Sequence, residues 1–177
     1  MQDIFTGGTE TSSTTVEWAM SEMIRNPNVM ATAQNEIRKA FMGMKTIEET
    51  DVEKLPYLKL VIKETLRLHP PIPLLVPREC REECEIDGYV IPIKTRVMVN
   101  AWAIGRDPKY WDDAESFKPE RFENHPVDFT GNNFEYLLFG ARRRICLGIS
   151  FGLANVELPL ALLLYCFDWP LASTTMT

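Results

Sequence analysis

The pattern of apolar and polar positions divides the chain into a helical first third and a mixed remainder. Apolar residues recur at helical spacing from Val16 to Ile24, in a second segment that ends near Phe41, and from Tyr57 to Leu68. Asn26-Pro27 marks a boundary, with asparagine as the predicted N-cap and proline at the first helical position. We therefore predict three helices, and the third is predicted to end at His69-Pro70-Pro71.

After the third helix the pattern changes to that of short strands. Asp87-Gly88 lies between short apolar runs and is typical of a hairpin turn. Alternation from Arg96 to Trp102 predicts a further strand, whereas the proline-containing segment 106–135 is predicted to be mostly irregular. The stretch from Gly148 to Phe167 is apolar on most sides and predicts a buried helix. The predicted fold class is therefore mainly α (α+β), with a small antiparallel sheet.

Composition then limits the classes of protein to consider. Apolar residues make up 45% and charged residues 25% of the 177 residues, which argues against disorder. A net charge of −6 gives no basic field for nucleic acid, and the four cysteines are too sparse for a disulfide scaffold. The first residues show no signal peptide, and the apolar run from Leu158 to Phe167 is too short to cross a bilayer. We expect a soluble or peripheral polypeptide.

Cys146 is the first candidate for chemistry. It lies between Arg144 and Gly148, at the predicted start of the last helix. The positive end of the helix dipole and the nearby arginines favour the thiolate, the form that binds metals. A buried cysteine that acts as a small hydrophobic residue beside solvated arginines is an equally open interpretation of this segment alone.

Three further segments are weaker candidates for chemistry when each is taken alone. Glu64 and Arg67 are three residues apart on the predicted third helix, and the apolar face of that helix indicates a solvent-exposed ion pair. Gly7-Gly8-Thr9-Glu10-Thr11 is either a distorted helix, in which a hydroxyl and a carboxylate face a small ligand, or a loop before an N-cap. The stretch from Pro119 to Phe122 is by itself a loop with a charged pair.

Together and in this order, these segments resemble those of the cytochrome P-450 family, the haem-thiolate monooxygenases. Gly8 to Thr11 matches the family's kinked long helix, Glu64 to Arg67 its E-x-x-R helix, Pro119 to Phe122 its P-E-R-F-like loop, and Phe139 to Gly148 its F-x-x-G-x-R-x-C-x-G loop. Connecting stretches such as Phe151 to Pro159 are similar to those of plant members that hydroxylate terpenoids and related secondary metabolites. The resemblance covers essentially the whole chain and implies that residues 1–177 are the C-terminal, haem-binding part of one domain, truncated at both ends.

The resemblance also implies a set of site residues. Cys146 would be the axial thiolate ligand of the haem iron and would favour cleavage of the O–O bond. Thr11 and Glu10 would take part in proton delivery, although the family more often has aspartate at position 10. Arg144 and Arg78 would pair with the haem propionates. The other implied residues are Phe139 and Gly148 of the cofactor-binding loop, Glu64, Arg67 and Arg121 of a buried charge network that holds this loop, and Leu74, Leu75 and Val76 of an apolar substrate pocket.

The reaction that the resemblance implies inserts one oxygen atom from O2 into a C–H bond of a small apolar substrate. Its electrons come from NADPH through a cytochrome reductase. The implied location is the cytosolic face of the endoplasmic reticulum membrane, with no anchor in this chain.

Two positions depart from the family. Arg142 stands in place of glycine, which would strain the loop by about 1–3 kcal/mol if the position needs a positive φ, and Leu147 stands where related plant sequences usually have proline.

Two other interpretations stay open at this level. The chain could be a truncated, non-catalytic product that keeps the family motifs, since much of the family's haem and substrate pockets lies outside the matched part. Cys80 and Cys84, spaced C-x3-C, could instead form a non-haem metal or redox module. The second interpretation is weak because His69 and His125 lack the spacing of partner ligands.

Overall fold

The computed structural model describes residues 2–44, 46–125 and 127–169. Within these ranges the chain forms six α-helices, four short β-strands and two 3-10 turns. The helices are α1 (Gln2–Arg25), α2 (Pro27–Ala40), α3 (Glu49–Val52), α4 (Pro56–Leu68), α5 (Ala101–Ile104) and α6 (Ile149–Cys166). The strands are β1 (Arg78–Glu79), β2 (Cys84–Ile86), β3 (Tyr89–Ile91) and β4 (Arg96–Val97), and the 3-10 turns span Pro119–Phe122 and Arg142–Arg144.

Helix α1 continues through the two glycines that the sequence left ambiguous. The hydroxyl groups of Thr11 and Ser12 donate hydrogen bonds to the carbonyl oxygens of Gly7 and Gly8, at 2.8 and 3.1 Å. Such bonds to the preceding helical turn compete with the backbone ladder and often bend helices. The loop interpretation of this segment is therefore wrong, and the helical one is correct.

The boundary between α1 and α2 lies where it was predicted, but the Asn26 side chain does not cap α2 as predicted. Pro27 occupies the first turn of α2, and Asn26 precedes it without capping its amides. The side-chain Nδ2 of Asn26 instead donates to the carbonyl oxygen of Glu22, 2.8 Å away, at the end of α1. Asn26 thus satisfies an acceptor of the first helix rather than a donor of the second.

The main core lies where α1, α2, α4 and α6 pack against one another. Met23, Ile37, Leu58 and Leu160, one from each helix, are fully buried there. The prediction that α6 is buried was wrong in extent: one stripe of this helix faces the core, whereas Phe151 is 65% exposed. The reason is that α6 packs against its neighbours on one side only.

The full length of α6 also corrects the conclusion that the apolar run from Leu158 to Phe167 is too short to cross a bilayer. Among the described residues, only this helix is long and apolar enough to cross a membrane by length and composition, with a mean hydropathy of 1.6. The core helix of a soluble protein meets the same criteria. Its contacts with α1, α2, α3 and α4 show that one side of it belongs to the core.

The strands form two separate antiparallel pairs in place of one small sheet. Strand β1 pairs with β4, and β2 pairs with β3 across the predicted hairpin. Asp87 and Gly88 have φ values of 50° and 80° at the turn, as a two-residue type I′ turn requires. The strand predicted from Arg96 to Trp102 ends at Val97. Beyond it, the Asn100 side chain accepts a hydrogen bond from the Ala103 amide and caps α5.

The segment 106–135 is mostly irregular, as predicted, yet it has a small core of its own. Its buried side chains pack with the start of the following loop. The hydroxyl of the buried Tyr136 donates to the carbonyl oxygen of Lys63 in α4, at 2.7 Å. This second cluster ties the irregular segment to α4, and its buried members are Trp111, Ala114, Phe122, Val127 and Tyr136.

Candidate functional site

A cleft of about 1140 Å³ separates α1 from the loop that carries Cys146. Its walls come from the N-terminal half of α1, the segment between α4 and β1, and the loop before α6. The cleft brings together seven of the residues that the resemblance implied, although they come from three separate parts of the chain. These residues are Thr11, Leu75, Val76, Arg78, Phe139, Arg144 and Cys146.

The loop before α6 presents the thiol of Cys146 to the cleft. The Cys146 amide donates to the carbonyl oxygen of Phe139, 2.8 Å away, which closes the loop at its base. The side chain of Cys146 is exposed. A β-carbon placed on Gly148 would lie 3.9 Å from Sγ, so glycine there keeps the space beside the sulfur open. Gly148 itself directly precedes α6 and is not among the residues that line the cleft.

Arg142, which stands in place of the family glycine, has a left-handed backbone conformation. Its φ is 54°, which is rare for a residue with a side chain. The guanidinium lies 5.9 Å from the centre of the Phe134 ring. The positive φ considered as a possibility from the sequence is therefore present in the structure.

The helical wall of the cleft is lined by hydroxyl groups. Thr11, Ser12 and Thr15 line the cleft, and Thr15 donates to the carbonyl oxygen of Thr11 at 2.7 Å. Sequence reasoning missed Ser12 and Thr15, although Thr11 and Thr15 are four residues apart and so share one helix face. Glu10 is exposed and is not among the lining residues.

Arginine side chains and an apolar segment complete the cleft. Arg78 of β1 and Arg144 both line it and are both exposed. Arg81, which sequence reasoning did not single out, lines the same cleft. Leu75 and Val76 face it as expected, whereas Leu74 is 43% exposed and is not a lining residue.

The E-x-x-R pair forms a buried network rather than the surface ion pair that periodicity predicted. Glu64 and Arg67 are both fully buried. Glu64 accepts from Arg67 Nε at 2.7 Å, from Arg121 Nε at 3.0 Å and from the Lys118 amide at 2.8 Å. Arg67 Nη2 also donates to Glu64, at 2.9 Å. The other N–H groups of Arg67 donate to main-chain carbonyls of the segment that folds over α4, at Gly105, Ala114 and Ser116.

Packed aromatic rings connect this network with the loop of Cys146. The Arg67 guanidinium lies 5.3 Å from the Trp111 ring centre, and Trp111 packs against Tyr136 at 6.0 Å. Phe129 contacts Tyr136 at 5.6 Å and meets Phe139 edge to face at 5.2 Å. A layer of aromatic rings therefore lies between the network and the cysteine loop.

The described residues suit a flat, apolar cofactor that carries carboxylates. A soft sulfur ligand, two exposed arginines and aliphatic side chains meet in one cleft. A thiolate is a known axial ligand of haem iron, and arginine pairs well with carboxylates. A haem therefore fits the chemistry of this donor set.

Comparison with known proteins defines the class. The family model for cytochrome P450 matches residues 1–177, and the chain belongs to the cytochrome P450 family. Family and fold imply a haem cofactor held by a cysteine thiolate. The chain is 73% identical over 169 residues to premnaspirodiene oxygenase of Hyoscyamus muticus, covering 96% of this chain and 34% of that protein. It is 69% identical over 174 residues to 5-epiaristolochene 1,3-dihydroxylase of Nicotiana tabacum, covering 98% and 34%.

Further relatives extend the same result. The chain is 66% identical to tabersonine 16-hydroxylase 2 of Catharanthus roseus, covering 97% of this chain and 33% of that protein. A zebra fish cytochrome P450 solved with progesterone superimposes with a TM-score of 0.80 at 33% identity, covering 92% of this chain and 37% of that one. The mainly helical fold predicted from the sequence is confirmed as that of a cytochrome P450 portion. The chain spans about a third of the length of the curated relatives it matches.

Proposed function

We propose that this chain is the haem-binding part of a plant cytochrome P450 monooxygenase and that Cys146 is its thiolate ligand. The observation that carries the proposal is the exposed sulfur of Cys146 on the cleft that also contains Arg78, Arg144 and Thr11. The alternative of a non-catalytic product is not favoured, because the matched relatives are named as oxygenases and hydroxylases.

The bound haem would supply the redox-active iron at which O2 is reduced. Cys146 Sγ would hold the iron, and α1 lines the same cleft. Arg78 and Arg144 would fix the orientation of the cofactor by binding its carboxylates. Phe139 would pack beside it, held in place by its edge contact with Phe129.

Proton transfer would take place at the hydroxyl of Thr11. Its Oγ1 donates to the carbonyl oxygen of Gly7 at 2.8 Å. The lone pairs of Oγ1 would accept a hydrogen bond from water, and as Oγ1 takes up a proton from that water it would release its own hydroxyl proton into the cleft. Glu10 is exposed next to it in the sequence and would exchange protons with solvent. The pair would thus carry protons from the protein surface into the cleft.

The substrate would be a small apolar molecule of the terpenoid-like or related secondary-metabolite class. Leu75 and Val76 line the cleft and offer it an apolar surface. Three relatives are named for premnaspirodiene, 5-epiaristolochene and tabersonine. Electrons would come from NADPH through a cytochrome reductase, at the cytosolic face of the endoplasmic reticulum membrane.

A carbon monoxide difference spectrum of the reduced protein tests the ligand assignment. The chain is produced with a haem supply, alongside Cys146→Ala and the matched control Cys166→Ala, since Cys166 is also exposed. We expect a strongly red-shifted Soret band in the unchanged chain and in the control, and its loss in Cys146→Ala. A band that survives in Cys146→Ala would refute the assignment.

Activity is tested in a chimera, because the chain spans only a third of its relatives. Residues 1–177 replace the matching third of premnaspirodiene oxygenase, and oxygenation of premnaspirodiene is measured with a plant cytochrome reductase. We expect turnover with this chimera and none with its Cys146→Ala form. A chimera that shows the red-shifted band but oxidises NADPH without forming product would contradict the proposed substrate class while leaving the ligand assignment intact.

A further inference from the structure

Two cysteines outside the cleft lie side by side on the strand pairs. The Sγ atoms of Cys80 and Cys84 are 3.8 Å apart. Cys84 is exposed and Cys80 is partly exposed, so small reagents reach both. Neither residue has a part in the proposed haem site.

Paired backbone holds each of these cysteines in place. The Cys80 amide donates to the carbonyl oxygen of Thr95 at 2.9 Å, and its own carbonyl accepts from the Lys94 amide at 2.8 Å. These two bonds continue the ladder between β1 and β4. Cys84 lies in β2, opposite Ile91 of β3. The short distance between the sulfurs is therefore set by two strand pairs.

We propose that Cys80 and Cys84 form a reversible disulfide on exposure to low-molecular-weight disulfides of the glutathione type. The S–S bond length is about 2.05 Å, so the sulfurs must approach by about 1.8 Å, a distance within reach of side-chain rotation. No third metal ligand accompanies the pair, since the described residues contain no group of three or more metal-ligating side chains.

The reaction proceeds by two exchange steps. One cysteine thiolate attacks a sulfur of the oxidant and releases one small thiol, which leaves a mixed disulfide on the protein. The second cysteine thiolate attacks the protein sulfur of that mixed disulfide and releases the second small thiol. The two cysteines lose two electrons, the small disulfide gains them, and the two protein protons pass to the released thiols. Exposed disulfides are generally the more easily reduced ones, so the reaction is expected to reverse with excess thiol.

The position of the pair connects it with the cleft. Cys80 lies between Arg78 and Arg81 in the sequence, and both arginines line the cleft. A bond from Cys80 to Cys84 would fix the connection between β1 and β2 directly beside these side chains. This proposal concerns the free thiols of the chain and does not depend on the haem proposal.

A tryptic map without reducing agent tests the disulfide. Cleavage after Arg78, Arg81 and Lys94 separates the two cysteines into peptides 79–81 and 82–94, while Cys146 and Cys166 share the peptide 145–177. The full chain is incubated with oxidised glutathione, alkylated and digested. A hydrogen bond with Cys80, a small loss of solvation and the neighbouring Cys80 and glutamate charges raise the pKa of Cys84, so the incubation must be long.

We expect peptides 79–81 and 82–94 to become linked, with the loss of two of the four alkylatable thiols, and to separate again with dithiothreitol. Cys80→Ser and Cys84→Ser should each leave a glutathione adduct on the remaining cysteine, whereas Cys166→Ser should link as the unchanged chain does. Separate glutathione adducts on both peptides of the unchanged chain, or links to 145–177 as abundant as the expected one, would overturn the proposal. Equal rates of linkage in the folded chain and in concentrated guanidinium would show that the fold does not bring Cys80 and Cys84 together. That result would also overturn the proposal.

Discussion

Replacing Glu64 with glutamine would remove a negative charge from a buried site that contains two arginines, with almost no change in size. Glu64 is fully buried. Its Oε1 accepts from Arg67 Nη2, from Arg121 Nε and from the Lys118 amide, at 2.9, 3.0 and 2.8 Å, while its Oε2 accepts from Arg67 Nε at 2.7 Å. In Glu64→Gln the amide nitrogen must take one of these positions and would face a donor with another donor.

The expected loss of stability follows from the burial. Breaking a buried ion pair by removing one partner costs about 3–5 kcal/mol, because the remaining charge stays unpaired in a poorly solvated place. A small domain has a free energy of unfolding of about 5–15 kcal/mol, so the variant should lose a large share of its stability. The same substitution at Glu115, which is 76% exposed and 3.2 Å from Arg106 Nε, should cost less than about 1 kcal/mol.

Urea unfolding, followed by tryptophan fluorescence and circular dichroism, measures both variants. We expect Glu64→Gln to unfold at a much lower urea concentration than the unchanged chain, and Glu115→Gln at nearly the same one. If the free energies of unfolding of the two variants agree within about 1 kcal/mol, the reasoning from buried charge is refuted.

Three further predictions concern backbone conformation and pH, and thermal melting measures each of them. Gly105→Ala should destabilise the chain, because a β-carbon there would overlap the main-chain oxygen of Arg67. In contrast, Gly152→Ala in helix α6 should stabilise the chain by up to about 1 kcal/mol, because there is open space around Gly152. Arg142→Gly should be more stable than Arg142→Ala by about 1 kcal/mol, since the position has a positive φ; the reverse order would contradict strain at this residue. Burial lowers the pKa of His69 below its ordinary 6.5, so the unfolded chain binds a proton more readily, and stability should fall as the pH drops below 6.5. His69→Phe should melt with less dependence on pH between about 7.5 and about 5.5, and an unchanged dependence would exclude His69 as its source.

The sequence predicted those elements whose signals are local. Proline at the first helical position placed the start of α2, and Asp87-Gly88 placed the hairpin, because these residues restrict their own backbone. The strand predicted to reach Trp102 stopped early because the Asn100 side chain caps a helix there. The alternation of apolar and polar residues gives no information about a side chain that hydrogen-bonds to the main chain.

The burial of Glu64 and Arg67 could not be predicted from helical periodicity for a different reason. The face that carries them is covered by the segment from Gly105 to Arg121, about 40 to 50 residues further along the chain. The acceptors that this segment offers to Arg67 are main-chain carbonyl oxygens, which leave no trace in the pattern of side chains. The resemblance to the family supplied the buried network because it carries information about contacts that are distant in sequence.

The strained residue in the cysteine loop is held by its neighbours rather than by its own preference. The amide of Ile145 donates to the carbonyl oxygen of Arg142 at 3.1 Å, inside the larger closure from Cys146 to Phe139. A β-carbon on Gly131 would lie 2.9 Å from the Ala141 α-carbon, so the neighbouring loop packs directly against this backbone. A residue in an unfavourable conformation persists where the surroundings fix it from several sides. An arginine can therefore occupy a position that suits glycine while Cys146 still faces the cleft, and the strain lowers the stability of the loop.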